Sequence, residues 1–230
     1  MTAPIVLVPG LGLGPESYAP TCKHLQAQYE VVALPGYGMK AGRDDDLHIE
    51  ALAERLVQQV KERSVLVGHS ASCEIVVEAT LQHPELVAAL VLIAPSGDLT
   101  ASSWPRMTGR WLRSALWSPP TLIPTLTKQY RRTGVTSITR AIEAARSYDL
   151  AAAASKLAAG SADGSRPTVP TVVIRSAHDK LAPALWTQQL ADLTGGEAWT
   201  LPTGSHLPVL TNGRELAAFI LRAAAVAGDG

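Results

Sequence analysis

Three residues whose types could carry acyl transfer each follow directly on an apolar run. Ser70 stands in Gly68-His69-Ser70-Ala71-Ser72, just after Val65-Leu66-Val67. Asp179 lies five residues after Ile174, and His206 lies five after Leu201. A serine hydroxyl is a poor nucleophile until a base takes its proton, and the base needs a carboxylate to hold its tautomer and stabilise its cation. Ser70, His206 and Asp179 could fill these roles if the fold brings them to one edge. Asp98, after Ile93-Ala94-Pro95, is the rival acid; Asp179 is preferred for its position after the later strand. His178 is close to the same edge and is expected as a wall of the pocket.

The elements needed to position these residues are legible as hydrophobic runs. Ile5-Val6-Leu7-Val8, Val65-Leu66-Val67, Ala89 to Ala94 and Thr171 to Ile174 are continuous apolar stretches, the pattern of parallel strands covered on both faces. Val31 to Leu34 and Ala198 to Leu201 add a strand each, giving about six. Helical spacing is expected from Ser17 to Gln28, from Ile49 through Val60, and from Ala71 to Gln82. Strands alternating with helices predict an α/β fold built on a doubly wound, mostly parallel sheet, whose strand C-termini open on one edge. For about 70 residues before the Thr171 strand the alternation lapses, too long for a plain connection. Residues 98–166 are therefore expected to form a helical lid inserted into a core of residues 1–97 and 167–230.

Composition excludes several function classes. Lys plus Arg and Asp plus Glu both number 20 in 230 residues, so no overall field favours nucleic acid or an anionic membrane surface. Two cysteines, Cys22 and Cys73, make no disulfide framework and lack metal-ligand spacing. No apolar run reaches membrane-spanning length, and a strand pattern from Ile5 leaves no room for a leader, so a cytoplasmic protein is expected. Gly10-Leu11-Gly12-Leu13-Gly14-Pro15 invites a dinucleotide reading, but the third glycine of that fingerprint falls on Pro15 and the next strand ends without a ribose-binding acid. Asp44, Asp45, Asp46 and His48 suit a helix start better than a metal cluster. No cofactor and no metal are expected.

The turn at Ser70 resembles the nucleophile elbow of the α/β-hydrolase family, with Gly68 and Ser72 as the small residues that let strand and helix approach. The resemblance extends over essentially the whole chain. Val8-Pro9-Gly10-Leu11 resembles the family's first loop, Leu34-Pro35-Gly36-Tyr37-Gly38 its Leu-Pro-Gly-x-Gly turn, and Ser70, Asp179 and His206 follow its chain order. Pro9 stands where a His is usual, Ala33 where an Asp is frequent, and Ser72 where the second Gly would be. The resemblance implies Ser70 as nucleophile, His206 as general base and then acid, and Asp179 as its orienter. It implies an oxyanion hole from the backbone N–H groups of Ala71 and Leu11, with Gly12 as the alternative first-loop donor.

Such an enzyme would cleave an ester, thioester or related acyl bond. The same fold also resembles lyases and C–C bond hydrolases, and a ligand-binding homologue without turnover is a reading of a different class. Trp104, Met107 and Trp111 recur at helical spacing and, with Gly10 and Gly12, are expected to line the substrate pocket. Between Asp98 and Arg166 ten Lys and Arg face four Asp and Glu. This excess suits either attachment to an acidic core or attraction of an anionic or carrier-bound acyl substrate. A monomer or homodimer acting on a small-molecule acyl substrate is expected.

Overall fold

A computed structural model of the protein describes residues 3–96, 109, 118–164 and 167–226. Six strands form one sheet: β1 (Ile5–Val8), β2 (Tyr29–Val31), β5 (Ser64–His69), β6 (Val87–Ile93), β7 (Thr171–Ser176) and β8 (Glu197–Leu201). Their order is β2-β1-β5-β6-β7-β8, and every neighbouring pair is parallel. Two-residue pieces β3 (Leu34–Pro35) and β4 (Gly38–Met39) pair with each other beside it.

The central strands β1, β5 and β6 are buried throughout, because both faces of the sheet are covered. Val6, Val8, Leu66, Leu90 and Leu92 join one apolar cluster, whereas Ile5, Leu7, Val65, Val67, Val91 and Ile93 join the other, as the two-residue period of a strand requires. The first cluster is sealed by α2 (Ile49–Val57), α3 (Ser72–Gln82) and α7 (Ala184–Thr194), through residues such as Leu52, Ile75 and Leu190. On the opposite face, Leu216 and Ile220 of α9 (Gly213–Val226) close the second, with α1 (Ala19–Cys22) and α8 (Pro208–Thr211) packed beside it.

Between β6 and β7, the described residues form α4 (Ile123–Thr133), α5 (Val135–Arg146) and α6 (Leu150–Ala162). Asp149 caps α6 by accepting from the Ala152 amide at 2.9 Å. Leu150, Ala153, Ala154 and Leu157 of α6 are part of the first core cluster. Asp98, Trp104, Met107 and Trp111 lie outside the described residues.

Two local expectations are corrected. The helix expected over Ser17 to Gln28 is a 3-10 turn, Pro15–Tyr18, followed by the single turn α1. His24 and Leu25 then bond three residues back, to Thr21 and Cys22, which tightens the chain and ends it. The second strand starts earlier than expected, at Tyr29, because pairing with β1 sets its register (Ile5 with Tyr29, Leu7 with Val31). Leu34 instead turns back on Tyr37. The aspartates stand before α2, as expected, and shape the loop that enters it. Asp45 accepts from the Gly42 amide and pairs with Arg55 at 3.0 Å, Asp46 accepts from the His48 amide, and the N-cap is His48.

Candidate active site

Strand β5 runs into α3 with two residues between them, and this abrupt turn sets Ser70. Its φ is +57°, a left-handed conformation costing about 1–3 kcal/mol for a residue with a side chain. The Ser70 amide donates to Ile93 O on the next strand at 2.9 Å, and the Cys73 amide donates to Ser70 O at 3.1 Å. Gly68 makes the crossing feasible: a Cβ there would lie 2.7 Å from Val76 Cγ2 and 2.8 Å from Cys73 Cα. Ser72 fits without prising helix from strand, because its buried hydroxyl is absorbed in bonds. It accepts from the His69 amide at 2.8 Å and donates toward Val8 O and His69 O at 2.9 and 3.0 Å.

The loops after β7 and β8 bring the other two residues to Ser70. Ser70 Oγ lies 2.8 Å from His206 Nε2, and His206 Nδ1 lies 3.0 and 3.2 Å from the two carboxylate oxygens of Asp179. A carboxylate accepts, so Nδ1 carries the ring proton and Nε2 presents a lone pair to the Ser70 hydroxyl. Burial alone would push the Asp179 carboxyl up. The His206 ring and the amides of Leu181 and Ala182, at 2.8 and 3.0 Å, outweigh it and hold Asp179 below the usual carboxylate range. The acid is therefore an anion fixed by its own loop.

The His206 loop is braced on several sides. His178 is half-buried and donates its amide to Gly204 O at 3.1 Å. Asn212 reaches Thr203 Oγ1 at 3.0 Å, and Ser205 Oγ lies 2.8 Å from Ser118 Oγ in the insertion. His69 donates from Nε2 to the backbone carbonyl of His206 at 2.9 Å, with the two rings 5.7 Å apart. Burial, then the neighbouring His206, lowers the pKa of His69 to about 4, so this histidine is neutral. Its Nδ1 is buried without a partner beside Gly10, where a Cβ would approach it to 2.6 Å.

The first loop lies alongside. Gly12 donates its amide to Gly36 O at 2.9 Å, and the Tyr130 ring covers its Cα. Among the described residues the amides of Leu11 and Ala71 have no acceptor, whereas that of Gly12 is engaged.

Sequence reasoning missed His69 and Ser205. Both flank residues of interest, but only their partners, more than eighty positions away, reveal what they do. It also missed Glu74, in the first turn of α3, which is 1% exposed with Oε2 unpartnered. Burial pushes its carboxyl well above the usual range. No group of three or more potential metal ligands occurs among the described residues, and none of their helices is long and apolar enough to cross a membrane.

The fold has parallels among known proteins. A pimeloyl-[acyl-carrier protein] methyl ester esterase from Edwardsiella ictaluri is 34% identical over 104 residues, covering 44% of this chain and 40% of its own; the Klebsiella pneumoniae enzyme of that name is 32% identical over the same shares. The chain thus aligns with about 40% of the length of these curated relatives. Solved structures agree in fold: a lipase-esterase related protein from Clostridium acetobutylicum superposes with a TM-score of 0.75 at 14% identity, over 96% of this chain and 93% of its own. A hydrolase from Oleispira antarctica superposes with a TM-score of 0.73 at 14% identity, over 96% and 92%. The model of the alpha/beta hydrolase family matches residues 5–219, nearly the whole chain, and the protein belongs to that family.

Proposed function

We propose that this chain is a serine hydrolase that cleaves an ester or thioester through an acyl-enzyme on Ser70. The observation that carries this reading is the continuous hydrogen-bonded relay from Asp179 through His206 to Ser70, with contacts of 3.0 and 2.8 Å. As Ser70 Oγ attacks the acyl carbonyl, His206 Nε2 takes the hydroxyl proton and Asp179 stabilises the resulting imidazolium. The carbonyl π electrons move to oxygen, where the N–H groups of Leu11 and Ala71 receive the charge. Collapse expels the leaving group, which takes the proton from His206. A water deprotonated by His206 then attacks the acyl-enzyme, releasing the acid and restoring Ser70.

The proposed substrate class rests on the charge of the segment between β6 and β7 and on the curated relatives. His178 would form part of the pocket wall; Trp104, Met107 and Trp111, expected from the sequence to line the pocket, lie outside the described residues. The excess of basic residues in that segment suits an anionic or carrier-bound acyl ester as well as attachment to the core, where Arg132 pairs with Glu16 at 2.8 Å. The curated relatives, named for an ester borne on acyl-carrier protein, support the same class.

A fluorophosphonate that phosphonylates activated serines tests the nucleophile. Wild type is expected to label at Ser70 and Ser70→Ala not at all; equal labelling of the two would refute the assignment. Hydrolysis of p-nitrophenyl esters, acyl-CoAs and lactones should fall at least about a thousandfold in the same variant.

A further inference from the structure

The turn after β1 is held from outside the sheet, by a helix of the insertion. Leu13 donates to Gly10 O at 2.9 Å, closing a four-residue turn in which Gly12 has φ of +74°, as the third residue of a type II turn requires. Closing that bond orients the Gly10–Leu11 peptide. Because a trans peptide is planar, a carbonyl turned into the loop sends the Leu11 N–H the opposite way. The other polar groups of the turn are pinned in their own directions: the Gly12 amide to Gly36 O at 2.9 Å, the Gly12 carbonyl to Thr133 Oγ1 at 3.0 Å, and the Gly14 amide to Gln129 Oε1 at 2.8 Å. From Leu11 to Gly14, only the Leu11 amide has no acceptor among the described residues.

Gln129 and Thr133 sit one turn apart on α4, hence on one face of it, and both are buried, at 1% and 0% exposure. Tyr130 between them lies against Gly12, its ring 2.7 Å from where a Cβ would stand. Arg132 pairs with Glu16 at 2.8 Å at the rim. All four side chains therefore engage the residues from Gly12 to Glu16.

We infer that Gln129 and Thr133 are positioning residues for the oxyanion hole: α4 clamps the turn so that the Leu11 N–H is aimed in advance at the developing charge. This rests on the reading of Leu11 as an oxyanion donor to Ser70 chemistry. Donors of this kind help only if they are already oriented, since reorganising them during reaction would cancel the gain. Without Thr133, the Gly12 carbonyl loses its partner and the turn can rotate away from the productive orientation. The insertion thus completes the catalytic machinery from a distance.

Fluorophosphonate inactivation measures this without knowledge of the substrate, because attack on phosphorus places charge on an oxygen in the same hole. Thr133→Val keeps the shape and removes the donor. It is expected to lower the maximal inactivation rate about tenfold or more while the half-saturating probe concentration moves less than about threefold, and Thr133→Ser is expected to restore the rate. Gln129→Met, which removes the Gly14 contact from the other end of the turn, should act in the same direction and serves if Thr133→Val does not fold. A wild-type maximal rate in a folded Thr133→Val or Gln129→Met protein overturns the clamp. Labelling that persists in Ser70→Ala overturns the nucleophile reading instead, so the two failures are told apart.

Discussion

His69 Nε2 donates to the backbone carbonyl of His206 at 2.9 Å, so the residue before the elbow serine holds the loop that carries His206. The contact ties two turns at the ends of different strands, and the ring that makes it is 1% exposed. His69→Phe fills the same space without the donor. It should lower kcat about tenfold with KM little changed, as expected when a base is held less firmly in line with its nucleophile. Steady-state kinetics on a p-nitrophenyl ester would show it, and a change confined to KM would count against the role.

The same histidine makes stability depend on pH. Burial, reinforced by His206, lowers its pKa in the folded protein to about 4, below the ordinary 6.5, so the unfolded chain binds the proton first. Stability should therefore fall as the pH drops from about 6.5 to about 4, level off below, and lose about 3 kcal/mol from this group. Carboxylates titrating nearby are common to wild type and His69→Phe, so they cancel in the difference between their melting curves. A slope equal in both proteins across that window would show that His69 titrates normally.

Glu74 acts with the opposite sign. Its folded pKa is raised well above the ordinary 4.5 by burial, so its contribution is intact below that value and is lost as the pH climbs toward the folded pKa. Glu74→Gln has nothing to deprotonate. It should melt like wild type near pH 4 and above it by several degrees near pH 8. A gap that does not widen with pH would mean that burial of the acid is already offset by a proton-independent contact.

At the elbow, Gly68→Ala places a Cβ 2.7 Å from Val76 Cγ2 and 2.8 Å from Cys73 Cα, both in packed surroundings. Helix and strand must separate, at a cost of about 1–3 kcal/mol or more. Ser72→Ala fits the space but leaves the His69 amide without an acceptor, costing about 1–3 kcal/mol. Urea unfolding of both variants measures these losses. Ser72→Ala as stable as wild type would mean that the hydroxyl network contributes nothing net.

Asp179→Asn keeps the outline of the acid but removes its charge and can present N–H to His206 Nδ1, favouring the wrong tautomer at Nε2. A loss of about ten-thousandfold in kcat is expected, with the fold intact by circular dichroism. Activity within about tenfold of wild type would mean that another carboxylate orients His206.

That Ser70, Asp179 and His206 meet could be anticipated from the chain alone because each follows its strand closely, and a parallel sheet delivers strand ends to one edge. The buried strands were equally legible, since burial on both faces leaves a continuous apolar run. Elements short enough to be governed by a neighbour were not. β2 begins at Tyr29 because β1 sets its register, and the stretch after Pro15 forms two brief turns where helical spacing predicted a helix. The supports of the site lay further out of reach. Gln129 and Thr133 meet the first loop from 115 and 121 residues away, and His69 meets the His206 carbonyl from 137. Local pattern reports which face of a strand or helix is apolar and where a turn must fall. Which buried hydroxyl, amide or imidazole satisfies a given backbone group is decided only when distant segments pack and every polar atom must find a partner or remain without one.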